Sequence, residues 1–266
     1  MTGRFLQRRV VWVPTWLGLV TFSIFTMFPL LWWAFKGETY LGASSQECAD
    51  ILVVEGWIGT EGVSAAKREF QTGRYRYIIT SSGLSGDPWN PKRWNFALEA
   101  EKQLLGSGLR RDQVVAAIPR AVESHRTFES AAAVWRTLQL REIKPVALTV
   151  FTRGVHARRS RLVFERVFKS KLPIGVVAWQ PVGLRDGAWW ESSARATEMI
   201  KESVAFFFEL LFNSGRQSNS PTESLPIETA PLSELPTGLR PASVSVPAGR
   251  QYAELETFYN FNGDGD

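Results

Sequence analysis

Asp50-Ile-Leu-Val-Val-Glu-Gly-Trp-Ile-Gly-Thr60 decides the fold. Ile51 to Val54 is an unbroken apolar run with no polar alternation, the pattern of a strand covered on both faces. Gly56 and Gly59 then turn the chain, and Thr60 is suited to cap a helix reaching about Thr72. The same unit recurs downstream. Tyr77–Ser81 reads as a second strand, followed by a polar loop and a helix from about Lys92 to Ser107 that stops near Gly108. Val114–Ile118 precedes a helix over Thr127–Leu140, Val146–Phe151 precedes one over about Val155–Phe168, and Ile174–Ala178 makes a fifth strand. Strands each followed by a helix predict a mainly parallel sheet. With right-handed crossovers it becomes a Rossmann-like, doubly wound three-layer α/β/α sandwich. A last helix is expected over Glu191–Phe212, with Ala196, Met199, Ile200, Val204, Phe207, Phe208 and Leu211 along one stripe. For its most apolar end, Val204–Phe212, the expectation is packing on the domain, with a place in the membrane interface beside the anchor as the alternative.

Ahead of this region, Val10–Phe35 holds no charged residue, and at 1.5 Å per residue a helix of this length spans about 39 Å, enough to cross a bilayer. Trp12 and Trp16 lie near one end and Trp32 and Trp33 near the other, where indoles favour the two lipid–water boundaries. Pro14 is expected in the first turn, where a missing N–H costs little. Arg4, Arg8 and Arg9 precede the stretch and only Lys36 closely follows it, so the positive-inside bias puts the short arm in the cytoplasm and the domain outside. A cleaved signal peptide would have a shorter apolar region ending at small residues, and Trp32-Trp33-Ala34-Phe35 does not supply them. The expected organisation is a cytoplasmic arm (1–9), a membrane helix (10–35), an α/β domain (36–213) and a disordered Pro/Ser/Glu-rich tail (214–266). The tail carries seven acids against three arginines, a net charge of −4 that leaves +9 on the rest of a chain whose total is +5.

The lone Cys48 excludes an internal disulfide and a cysteine metal cage. No metal-ligand spacing, no Gly-x-Ser-x-Gly elbow and no Gly-x-Gly-x-x-Gly loop occurs, so neither a metal nor a cofactor is expected. The basic residues lack an interleaved aromatic platform, which argues against nucleic acid.

In such a sheet ligands bind beyond the carboxyl ends of the strands. Those loops carry Glu55, Gly56 and Trp57; Ser81, Ser82 and Gly83; His125, Arg126 and Thr127; and Arg153, His156, Arg158 and Arg159. Both histidines of the chain fall there. Arginine forks beside a helix amino terminus favour phosphate or carboxylate. The terminus also lowers histidine basicity, so His156 is expected to be neutral at pH 7 and to act as acid or base, with Glu55 or Glu99 as partner. A solvated or lipid-facing arginine face is the structural alternative for Arg158, Arg159, Arg161 and Arg166.

Four segments, in order, resemble the SanA/ElyC/YdcF-like family of envelope-associated α/β domains. They are Ala49–Gly56, Ile79-Thr-Ser-Ser-Gly83, Arg126-Thr-Phe-Glu-Ser-Ala131 and Val150–Ser160, the last being similar to that family's histidine–arginine signature. Ser130 stands where asparagine is usual, Trp57 where a second glycine is common, and Glu99-Ala100 matches a family Glu-Ala pair only after a register shift. The resemblance implies a Rossmann-like sheet and a role in the bacterial cell envelope, linked to peptidoglycan or lipid-carrier metabolism. The expected function is a single-pass inner-membrane protein whose domain binds and processes an anionic, phosphate-bearing precursor, either a small molecule or lipid-linked. The alternatives are a non-catalytic scaffold that recruits an envelope protein through its tail, and a nucleotide or S-adenosylmethionine binder, which bulky Trp57 disfavours.

Overall fold

The computed structural model describes residues 13–83, 95–119, 126–169, 171–181, 183 and 187–212. The arm 1–9 and the tail 214–266 lie outside them, as does His125. Five parallel strands, β1 (Ile51–Glu55), β2 (Tyr77–Ser81), β3 (Val114–Ala117), β4 (Leu148–Arg153) and β5 (Ile174–Trp179), form one sheet in the order β3-β2-β1-β4-β5. The helices are α1 (Trp16–Leu41), α2 (Gly59–Thr72), α3 (Phe96–Gly106), α4 (Arg126–Leu140), α5 (Ala157–Val167) and α6 (Ser193–Phe212).

Every residue of β1 is buried, as its continuous apolar run requires. Ile51 and Val53 face a core shared with α4 and α5, where Phe128, Val134, Val163 and Phe164 pack. Leu52 and Val54 face the opposite core, filled by Val63, Ala66, Phe70 and Leu104 of α2 and α3. The alternation along one strand thus supplies both layers of the sandwich. At the amino-terminal edge Asp50 ties three strands together. Its Oδ1 accepts from the Val146 and Ala147 amides at 2.8 and 3.3 Å, and its Oδ2 from the Arg76 guanidinium at 2.7 Å.

Several boundaries differ from expectation, each for a local reason. Gly56–Ile58 forms a 3-10 turn that runs straight to α2, and Gly59 makes the break with φ at 81°. Thr60 therefore sits inside the first turn of α2 and caps nothing. The α3 cap is Asn95, whose side chain accepts from the amides of Ala97 and Leu98. Gly154–His156 is likewise a 3-10 turn, so α5 begins at Ala157. Thr15 caps α1 by accepting from the Gly18 amide, which places Pro14 just before the helix. α1 also continues past Phe35 without a break, burying Gly37 and Leu41 against the domain. It is long and apolar enough to cross a membrane, and its apolar window is not covered by protein.

α6 buries Met199 of the predicted stripe, but together with Glu202, Phe206 and Glu209, while Ile200, Val204, Phe207, Phe208 and Leu211 of the stripe stay exposed. Trp33 donates to Ser203 Oγ at 2.9 Å, Trp189 to the Ala34 carbonyl at 2.7 Å, and Arg195 pairs with Glu38 at 2.7 Å. α1 and α6 are thereby locked together.

At Gly56 a Cβ would run into the carbonyl of Phe96 at the start of α3, a backbone contact that cannot rotate aside. Gly56→Ala is expected to lower stability by about 1–3 kcal/mol through overpacking. Gly106→Ala, in open space on α3, should be neutral or stabilising. Denaturant unfolding of the full chain in detergent, compared across the two variants, checks this.

Candidate functional site

The sheet order reverses between β1 and β4, and an open cleft of about 1170 Å³ lies beyond the carboxyl ends of these strands. Such a switch point splays adjacent loops apart and leaves a crevice. β1 delivers Glu55 to its floor, β4 ends on Arg153, and the turn after β4 delivers His156. Ser82 and Gly83 follow β2; Arg126, Thr127 and Ser130 open α4; α6 closes the far wall with Glu198, Lys201, Glu202, Val204 and Phe208.

The centre of this cleft is a buried chain of charges. His156, 5% exposed, lies between two carboxylates: Nδ1 is 3.0 Å from Glu202 Oε2 and Nε2 is 3.4 Å from Glu55 Oε2. Glu55 is held in turn by Thr152 and by Ser160 Oγ at 2.9 Å, while the Trp57 indole donates to it at 3.2 Å. The Trp57 ring also meets the imidazole edge-on at 5.0 Å and covers it. Arg159 grips Glu202 with two nitrogens, at 2.8 and 3.1 Å, and reaches Thr127 Oγ1 at 3.1 Å.

Burial alone would push His156 toward neutrality, but Glu55 and Glu202 outweigh burial and the opposing Arg159, so its pKa is raised. The helix terminus predicts a lowered basicity here; two carboxylates within contact distance override that partial dipole charge and raise it. Burial pushes Glu55 and Glu202 up, and His156 with the hydroxyl and guanidinium donors more than reverses this, so both stay ionised. Nε2 of His156 has no hydrogen-bond partner among the described residues, its contact with Glu55 being too poorly aligned. Nε2 is buried against Glu55, so the histidine meets the cleft wall with the hydrogen-bonding capacity of one nitrogen unspent.

The sequence-predicted residues divide sharply. Glu55, Trp57, Ser82, Gly83, Arg126, Thr127, Ser130, Arg153, His156 and Arg159 line the cleft. Ser81 is buried beside it, donating to the Ser130 carbonyl at 3.0 Å, and Gly56 is spent on the close approach to α3. Glu99 is exposed on α3, outside the cleft. Arg158 faces α1 instead, donating to the Tyr40 carbonyl at 2.8 Å and stacking 3.8 Å above the Tyr40 ring. Arg159 is already occupied by Glu202, and Arg153 pairs loosely with Glu198 at 3.5 Å. Arg126 and Lys201, both exposed at the rim, have no ion-pair partner among the described residues. Glu202 and Lys201 escaped sequence reasoning because the apolar stripe of α6 pointed the helix the wrong way. No three His, Cys, Asp or Glu side chains are grouped as metal ligands among the described residues. No protein-family model matches the chain, and no curated protein is detectably similar to it.

The network has a pH signature. The folded pKa of His156 is raised above 6.5, so its stabilisation is complete below 6.5 and is lost as pH rises through the folded value. Glu55 and Glu202 are held below 4.5, so theirs is complete above 4.5 and is lost as pH falls through their folded values. Both contributions are whole only between those limits. The thermal midpoint of the full chain should therefore decline from pH 6.5 toward 9, and His156→Gln, less stable throughout, should lose that decline; a flat wild-type profile would contradict the charge assignment.

Proposed function

We propose that this is a bacterial inner-membrane protein whose α/β domain lies outside the cytoplasm, where the cleft binds and protonates a phosphate-bearing envelope precursor. The observation that carries the reading is His156: a buried imidazole in the cleft lining, set between Glu202 on one nitrogen and Glu55 on the other, whose Nε2 has no hydrogen-bond partner among the described residues. Glu202 and Glu55 keep the proton on the ring, and Trp57 shields it from water. Arg126 and Lys201 at the rim supply positive charge with no ion-pair partner among the described residues, and Arg153, paired only loosely with Glu198, lies nearby. With an anion held at the rim, His156 would hand its proton to the leaving ester oxygen as water attacks phosphorus and the P–O bond breaks, releasing an alcohol and phosphate, and would regain a proton from the attacking water. Glu55, saturated by its hydroxyl and indole donors, acts as the counter-charge and not as a base.

The envelope setting draws on the arginines before α1 and on the four ordered motifs similar to the SanA/ElyC/YdcF-like family. A phosphatase or fluorescent reporter fused after Phe212 should be active only outside the cytoplasm; cytoplasmic activity would reverse the topology.

Binding is checked by thermal shift on the full chain in detergent, with inorganic phosphate, soluble phosphomonoesters, nucleotides and S-adenosylmethionine as probes. Phosphomonoesters are expected to stabilise the wild type, and each charge-assisted bond removed in Arg126→Ala, Lys201→Ala or His156→Gln should weaken binding roughly ten-fold. Equal shifts in wild type and all three variants would overturn the assignment of the cleft, and selective stabilisation by S-adenosylmethionine would replace the ligand.

A further inference from the structure

α6 has three working faces and a fourth that stays exposed among the described residues. One face, with Met199, Glu202, Phe206 and Glu209, is seated on the domain. A second meets α1 through Ser203 and Phe207, the latter with its ring 4.8 Å from Trp33. A third, with Glu198, Lys201 and Ala205, lines the cleft. Between the second and third, opposite the domain, run Ile200, Val204, Phe208 and Leu211, exposed by 58, 66, 48 and 67%. Their i, i+4, i+8, i+11 spacing makes one continuous apolar ridge.

The direction of α6 says what covers that ridge. Contacts step along the two helices in opposite directions: Arg195 reaches Glu38, Met199 lies beside Gly37, and Ser203 and Phe207 meet Trp33. α6 therefore runs antiparallel to α1 and carries its last turns toward the apolar length of that helix. Those turns reach the level of Trp32 and Trp33, the expected indole belt, where an amphipathic helix settles in the membrane interface. The ridge faces away from the domain and is exposed beside them, as the apolar window of α1 is.

We infer that the outer ridge of α6 is embedded in the interface of the same bilayer that α1 crosses, making α6 a second, monotopic membrane contact. Val204 and Phe208 belong to both the ridge and the cleft wall, so the cleft opens at the headgroup layer. The inference rests on α1 being a membrane span.

The test uses the full chain with Cys48→Ser, reconstituted into phosphatidylcholine/phosphatidylglycerol vesicles. Single cysteines replace Ile200, Leu211, Leu19 on α1 and Leu140 on the far side of the domain, each carrying an environment-sensitive fluorophore. Leu19 and Leu140 are themselves exposed, so the probes do not disturb the core. Labels at Ile200 and Leu211 should lose fluorescence to nitroxide-bearing lipid and resist aqueous iodide, as Leu19 does and Leu140 does not. Iodide quenching at both α6 positions with lipid quenching at Leu19 would overturn the inference alone. Protection from both quenchers would place protein on the ridge and overturn it equally. Absence of lipid quenching at Leu19 would instead remove the membrane span on which it rests.

Discussion

The constraint on which the rest of the molecule depends is charge neutrality in the floor of the cleft. Glu55, His156 and Glu202 are each at least 94% buried and touch one another in a line that Arg159 ends. With the imidazole protonated the four charges cancel; with it neutral, one negative charge is left in a low-dielectric site, which costs several kcal/mol. The line also runs through three separate parts of the chain, β1, the β4–α5 junction and α6. None of these segments can move alone without stranding a charge, so the network fixes the sheet's switch point and the last helix together. Ser160 and Thr152 take up Glu55's remaining capacity, which leaves His156 Nε2 as the donor without a partner in the described structure.

The sheet was legible in the sequence because its signal is dense. Five short apolar runs, each followed by an amphipathic stretch, leave few topologies once right-handed crossovers are required. Glu55 and His156 were legible for a related reason: position at the carboxyl end of a strand is fixed by the strand itself. The partners of those residues were not. Glu99 matched Glu55 in type, but its place on an exposed face of α3 depends on where Asn95 starts the helix. Arg158 and Arg159 are adjacent in sequence and go opposite ways around α5, one to Tyr40 and one to Glu202.

The largest error concerned α6, and its cause is physical. Hydrophobic periodicity identifies a core-facing stripe only when the other side faces water. Beside a helix that itself exposes an apolar length, that premise fails. The most apolar face of α6 points outward, while the inward face carries Glu202 and Glu209, each met by an arginine, Arg159 or Arg166. A sequence pattern cannot separate two acidic residues on a polar face from two buried acids whose partners lie some forty positions away.

That same inversion makes the anchor part of the site. α1 enters the domain without a linker, and its last turns hold α6 through Trp33, Ala34, Glu38 and Tyr40. α6 in turn supplies Glu202, without which Arg159 and His156 would be two buried cations separated by 3.0 Å. A chain beginning at Gly37 would keep Glu38 and Tyr40 but forfeit the indole of Trp33 and the Ala34 carbonyl, half of the seat on which α6 rests. α1 therefore does more than precede a domain that is complete without it: it positions one of the two carboxylates that hold His156.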